Sequence, residues 1–208
     1  MSILVLTSDT LSSPAAAGQI EYSSPILAAT TQGTQRGIVP NQQYYRLDSG
    51  LAGSNVNTAQ NIFGVGCTLS SSTVYEFEIL FGISKSAGTT SHTISVGFGG
   101  TGTLNNIIYN INWNYSGTFN SNISSATSIQ SIIQTATATV LTTAITNAAE
   151  CFYAVIKGTV SVNAGGTFIP QYTLSAAPGG AYTTQAGSYM RIAPIGASGA
   201  NTNVGTWA

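Results

Sequence analysis

STVYEFEILFGIS, residues Ser72 to Ser84, alternates large apolar side chains with small or charged ones at a period of two. That is the period of an extended strand, whose successive side chains point to opposite faces. Tyr75, Phe77, Ile79, Phe81 and Ile83 fall on one face, and Val74, Glu76, Glu78 and Leu80 on the other. The pattern recurs in HTISVGF (His92–Phe98), where Ile94, Val96 and Phe98 share a face. It recurs again in ECFYAVIKGTVSVN (Glu150–Asn163), with Phe152, Ala154, Ile156, Val160 and Val162 aligned. The opposite face of that run begins apolar at Tyr153 and Val155 and turns polar at Lys157, Thr159 and Ser161. It reads as a strand passing out from beneath a covering neighbour.

Glycine-rich breaks at Ala87-Gly88, Gly99-Gly100, Ala164-Gly165-Gly166 and Pro178-Gly179-Gly180 separate these runs. Asn163–Phe168, NAGGTF, reads as a hairpin turn between two alternating segments. The low-complexity stretch from about Ser116 to Ala149 still alternates at Thr135–Val140, and its threonines favour strand over linker. One or two helical turns are expected only near Asn57–Phe63. Residues 42–208 are therefore predicted to form an all-β, antiparallel sandwich. Periodicity leaves jelly-roll and immunoglobulin-like topologies open, and a jelly-roll-like head is the expectation carried forward. Residues 1–41 contain Pro14, Pro25 and Pro40 between short apolar islands. Proline cannot donate to a strand ladder, so this part reads as an extended N-terminal arm with an edge strand at Ile20–Tyr22. An arm without a core of its own lies on a partner. No internal repeat is evident.

Composition sharpens the class. The 208 residues include only five Lys or Arg and six Asp or Glu, and hydrophobic residues make up 43%. An average globular chain is about 25% charged; this one is 5% charged. It is apolar enough to fold rather than stay disordered, with a surface of Ser, Thr, Asn, Gln and Gly. Net charge near zero favours association, so a homo-oligomer is expected. There is no basic field to draw nucleic acid. No apolar run approaches the ~20 residues of a membrane span, and Met1–Leu11 lacks the features of a signal peptide. Cys67 and Cys151 are expected to be free, buried thiols.

Candidate chemistry is sparse. Glu76 and Glu78 share a strand face with Cα atoms about 7 Å apart, the arrangement of a carboxylate pair for glycoside hydrolysis or calcium. The competing reading is a polar sheet face in which they meet Lys85, Lys157 or Arg191. A glycan depolymerase would lose activity on Glu76→Gln or Glu78→Gln. His92 is the only histidine, and no Ser, Cys or carboxylate near it in sequence completes a triad, so it reads as a turn-flanking side chain. One histidine and two distant cysteines cannot make a zinc site. Gly97-Phe-Gly-Gly-Thr-Gly102 matches GxGxxG, but the β-branched, Asn-rich TLNNIIYNINW follows where a dinucleotide fold needs a helix. Asn114-Tyr-Ser116 and Asn122-Ile-Ser124 are chance sequons in an Asn- and Ser-rich chain. Tyr44, Tyr45, Trp113, Tyr115 and Trp207 are aromatic candidates for core, subunit or sugar contacts. No catalytic, cofactor-binding or metal-ligating residue is assigned, and no enzymatic activity or cofactor is expected.

Several words of the sequence resemble virion structural proteins of marine and cyanobacterial tailed bacteriophages. They are TSDTLSSPAAAGQIEY (Thr7–Tyr22), RGIVP (Arg36–Pro40), YYRL (Tyr44–Leu47) and AQNIFGVG (Ala59–Gly66). KSAGTTSH (Lys85–His92), NAGGTFIPQY (Asn163–Tyr172) and GSYMRI (Gly187–Ile192) complete the resemblance, which spans the chain apart from its middle. It implies a trimeric β-sandwich on a virion, made in the host bacterial cytoplasm. It implies as partners a major capsid protein or a tail adaptor. The short arm implies a capsid decoration (cement) protein; the alternative is a tail-fibre tip that touches host surface glycan through loops such as Gly99–Asn106 or Pro178–Gln185.

Overall fold

The computed structural model describes residues 4–116 and 130–207. β1 (Ile20–Ser23), β2 (Ile26–Gln32) and β3 (Gln35–Val39) form a small antiparallel meander. Four short strands follow: β4 (Gln43–Arg46), β5 (Leu51–Ala52), β6 (Gln60–Asn61) and β7 (Cys67–Leu69). The long β8 (Thr73–Lys85) leads into β9 (Ile94–Gly99), β10 (Thr103–Ser116), β11 (Gln130–Gln134) and β12 (Ala138–Val140). β13 (Glu150–Ala164), β14 (Gly166–Leu174), β15 (Thr183–Thr184) and β16 (Tyr189–Ala197) complete the order. No helix occurs among the described residues, so none is long and apolar enough to cross a membrane.

Two antiparallel sheets face one another, as the period-two reading predicts. The larger runs β11-β10-β13-β8, and the far side of β8 is shared by β16 and β15, which β4 and β5 border in turn. The smaller runs β12-β9-β14, with β6 and β7 on the outer side of β14. The apolar face identified in β8 points inward: Tyr75, Phe77, Ile79, Phe81 and Ile83 are all buried. Phe77 meets Phe98 of β9 at 5.4 Å and Phe168 of β14 at 5.7 Å between ring centroids. Phe98 and Phe168 stack at 4.9 Å, and Tyr109 of β10 packs its edge on Phe98 at 5.1 Å. Such separations suit edge and offset ring contacts. Here they join both sheets through one cluster.

Three expectations need correction. Residues 20–39 are not extended arm: the edge strand at Ile20 is the first of three, because Pro25 falls in the β1–β2 turn and Pro14 and Pro40 fall outside the strands. The prolines punctuate this sheet without interrupting it. The NAGGTF segment is not a hairpin. β13 already pairs with β10 on one side and β8 on the other, so β14 has no edge to join and crosses to the opposite sheet. The crossing needs a bare backbone at Gly166, where a Cβ would sit 2.5 Å from the Gly102 amide nitrogen. Residues 57–63 form β6 and a turn instead of helix, held by the Ile62 amide donating to the Pro170 carbonyl at 3.0 Å.

Of the low-complexity middle, residues 117–129 lie outside the described residues, Asn122 among them. On either side of them the chain is strand, in β10, β11 and β12.

Candidate functional site

Among the described residues, three of the places that collect polar or unpartnered groups bear on function, and register explains each. The first lies on the outer face of the larger sheet. Antiparallel pairing sets Asn110, Lys157, Glu78, Arg191 and Tyr44 side by side across β10, β13, β8, β16 and β4. Glu78 is the centre of this row. Its Oε1 accepts from the Tyr189 hydroxyl at 2.6 Å, and its Oε2 lies 2.8 Å from Arg191 and 3.0 Å from Lys157. These donors, Tyr189 foremost, lower its carboxyl from the ordinary 4.5 to about 2. A carboxylate held by three donors is a poor general acid, because its proton is lost far below neutral pH. Glu76 lies beside it and makes no ion pair among the described residues. An open hollow of about 480 Å³ is lined by both glutamates with Gln42, Lys157, Thr159 and Arg191.

The lowered Glu78 carboxyl has a definite pH sign. Its contacts contribute stability that is fully present above the ordinary 4.5 and is lost as pH falls toward 2. Tyr189→Phe removes the strongest donor and is expected to move the Glu78 titration upward in carboxyl-detected NMR. A midpoint that stays near 2 would refute this assignment of cause.

The second place is buried at one end of the sandwich. Lys85 and Glu150 are direct register partners on the inner faces of β8 and β13. Their side chains are sealed from solvent, with Nζ and Oε2 3.9 Å apart. The ammonium is wrapped by the carbonyls of Ala87, Gly88, Asn147 and Ala148. Tyr182 donates its hydroxyl hydrogen to Glu150 Oε2, and the Asn147 amide donates to Oε1 at 3.1 Å. His92 joins through Nε2, 2.8 Å from the Tyr182 hydroxyl oxygen, while Nδ1 lies 2.7 Å from the Thr90 carbonyl. Burial and the Glu150 contact together push the Tyr182 phenol far up. Both ring nitrogens of His92 are engaged, and its side chain is wholly enclosed. This is a strand-end clamp. It ties the loop after β8, the segment before β13 and the chain around Tyr182 into one polar knot.

The third place is an unfinished edge. Among the described residues β4 pairs only with β16, and all four of its residues are exposed. Tyr44 and Tyr45 remain 56% and 44% accessible. Tyr44 stacks on Tyr189 on the outer face, at 5.5 Å, and Tyr45 turns inward with its edge on Phe63 at 6.0 Å. Beneath Tyr45 the gap between the two sheets stays open as a groove of about 350 Å³. Phe63, Val65, Cys67, Pro170, Met190 and Ile192 line it, and no charged residue does.

No protein-family model and no curated protein matches this chain.

The structure separates residues that the sequence had grouped. Glu78 meets Lys157 and Arg191 as one reading anticipated, but Lys85 faces the other way and pairs with Glu150. His92 does acquire a carboxylate, with Glu150 Oε2 3.6 Å from its Nε2, although among the described residues no serine or cysteine bonds to its ring. Parity could have shown the Lys85–Glu150 pair: both residues continue the inward-facing series of their strands. Nothing local marks Tyr182, which reaches Glu150 from 32 residues away. The Pro178–Gln185 segment is anchored through buried Pro178, Tyr182 and Thr184 rather than projecting as a free loop. Gly99–Asn106 is likewise fastened, its Thr101 exchanging hydrogen bonds with Thr167. Cys67 and Cys151 are free thiols; Cys67 is half-buried, and burial raises its thiol to about 11.

Proposed function

We propose that this chain is a non-catalytic bacteriophage virion structural protein: a self-associating, trimeric β-sandwich displayed on the particle surface. In the favoured form it is a capsid decoration protein attached to the head through residues 1–41. The observation that carries the associative part is the unfinished edge at β4, with two exposed tyrosines above a groove that contains no charge. An isolated chain that leaves such an edge open is a template for pairing with another. Charge points the same way. All five Lys and Arg side chains lie within 4.0 Å of a carboxylate of the same chain, which leaves little like-charge repulsion to oppose association. The virion and its head come from the sequence resemblance.

The decoration role predicts that antibody raised against the purified protein labels the capsid, and that quantitative gels of virions give copies far above a few dozen. Labelling confined to the tail with a few dozen copies or fewer would overturn it. A second reading, a receptor-binding tail tip, is favoured by the hollow around Glu76, Glu78 and Thr159, whose hydroxyl and carboxylate groups suit host glycan. Under that reading the same antibody blocks adsorption to the host.

A further inference from the structure

We infer that the groove at β4 receives the N-terminal segment of a second copy of this chain, Leu4–Thr7, as an added strand. The donor and the acceptor are both visible. Leu4, Val5 and Leu6 are 84%, 78% and 38% accessible and belong to no strand. Among the described residues the chain that follows them is tethered from residue 8 onward, where the Ser8 hydroxyl accepts from the Ser24 amide and the Asp9 amide donates to the Tyr22 carbonyl. No charged side chain occurs between Met1 and Ser8. An uncharged donor thus matches an uncharged groove, and a lysine or carboxylate in either would have to be stripped of water.

Length and period also match. β4 is four residues long with one edge taken by β16 and the other open, and Leu4–Thr7 supplies four residues. At ~3.3 Å per residue both span about 13 Å. In an added strand Leu4 and Leu6 face the same side, so both can enter the seam beside Phe63 and Met190 while Val5 faces outward. The chain's own segment does not sit there: it is absent from the groove lining and stays accessible. A sister copy is therefore the donor. Each copy then gives one strand and accepts one, the head-to-tail contact that closes into a ring in a cyclic trimer.

The inference rests on the self-associating reading above, and the test separates the two. In sedimentation of the full chain, wild type is expected to associate, and Leu4→Asp/Leu6→Asp to weaken association at least tenfold with an unchanged circular dichroism spectrum. Association that survives the double substitution would overturn strand donation and leave self-association standing. A wild-type chain that remains monomeric at high concentration would overturn both. Location is read by oxidising a mixture of Leu4→Cys and Val65→Cys chains, in a Cys67→Ser background. A disulfide between the two chains supports the inference. No such product, or a cross-link formed only within one chain when both cysteines are placed in it at high dilution, would overturn it.

Discussion

Replacing Phe77 with alanine is expected to cost about 4 kcal/mol of folding stability, the middle of the range for a buried phenylalanine. Phe77 is the one ring of β8 in contact with both Phe98 and Phe168 of the facing sheet. Its loss removes transfer free energy and leaves a void between two sheets whose backbones are fixed by their ladders and cannot collapse into it. For a chain of this size the change corresponds to roughly 8–16 °C in unfolding temperature. The neighbouring Glu76→Gln provides the control. Glu76 lies on the opposite, solvent-facing side of β8, so its replacement is expected to stay within about 0.5 kcal/mol. Denaturant unfolding of both variants checks the face assignment. A cost below ~1 kcal/mol for Phe77→Ala would mean that these rings do not join the sheets.

Lys85→Met is expected to cost about 3 kcal/mol for a different reason. Methionine fills the space of the methylene stem, but Glu150 is left without its cation in a sealed site, and four carbonyls lose their donor. Breaking one side of a buried ion pair leaves the other uncompensated, typically at ~3–5 kcal/mol. The lower end applies because Tyr182 and the Asn147 amide still donate to the carboxylate. Adding Glu150→Gln to Lys85→Met should restore part of the loss, since the stranded charge is gone. A double variant less stable than the sum of its single variants would show that charge balance is not what the clamp supplies.

The outer faces of β8 and β13 carry the remaining charged row, and there the energetic scale is smaller. Lys157 and Arg191 are largely in water, where an ion pair is screened and contributes little. What that row does is set chemistry. It holds Glu78 ionised and occupied, which removes the sequence-level case for Glu78 as the acid of a carboxylate pair. Glu76 keeps an open hollow beside it, lined also by Gln42 and Thr159.

Local pattern alone determined which residues of Ser72–Ser84, His92–Phe98 and Glu150–Asn163 face the core, because strand periodicity is a property of the backbone and needs no partner to be read. It also determined that charge would be scarce and that chemistry by histidine, cysteine or zinc had few residues to work with. Tertiary structure decided the rest. Whether NAGGTF folds back or crosses over depends on which strands already occupy both sides of β13, and that competition is not encoded within six residues. Whether Lys85 finds Glu78 or Glu150 depends on the face it shares with a strand 65 positions away, and β4 is an open edge because β16 covers one of its sides and no other described strand covers the second. Such outcomes are set by long-range pairing, where register and neighbours, rather than local preference, choose each side chain's company.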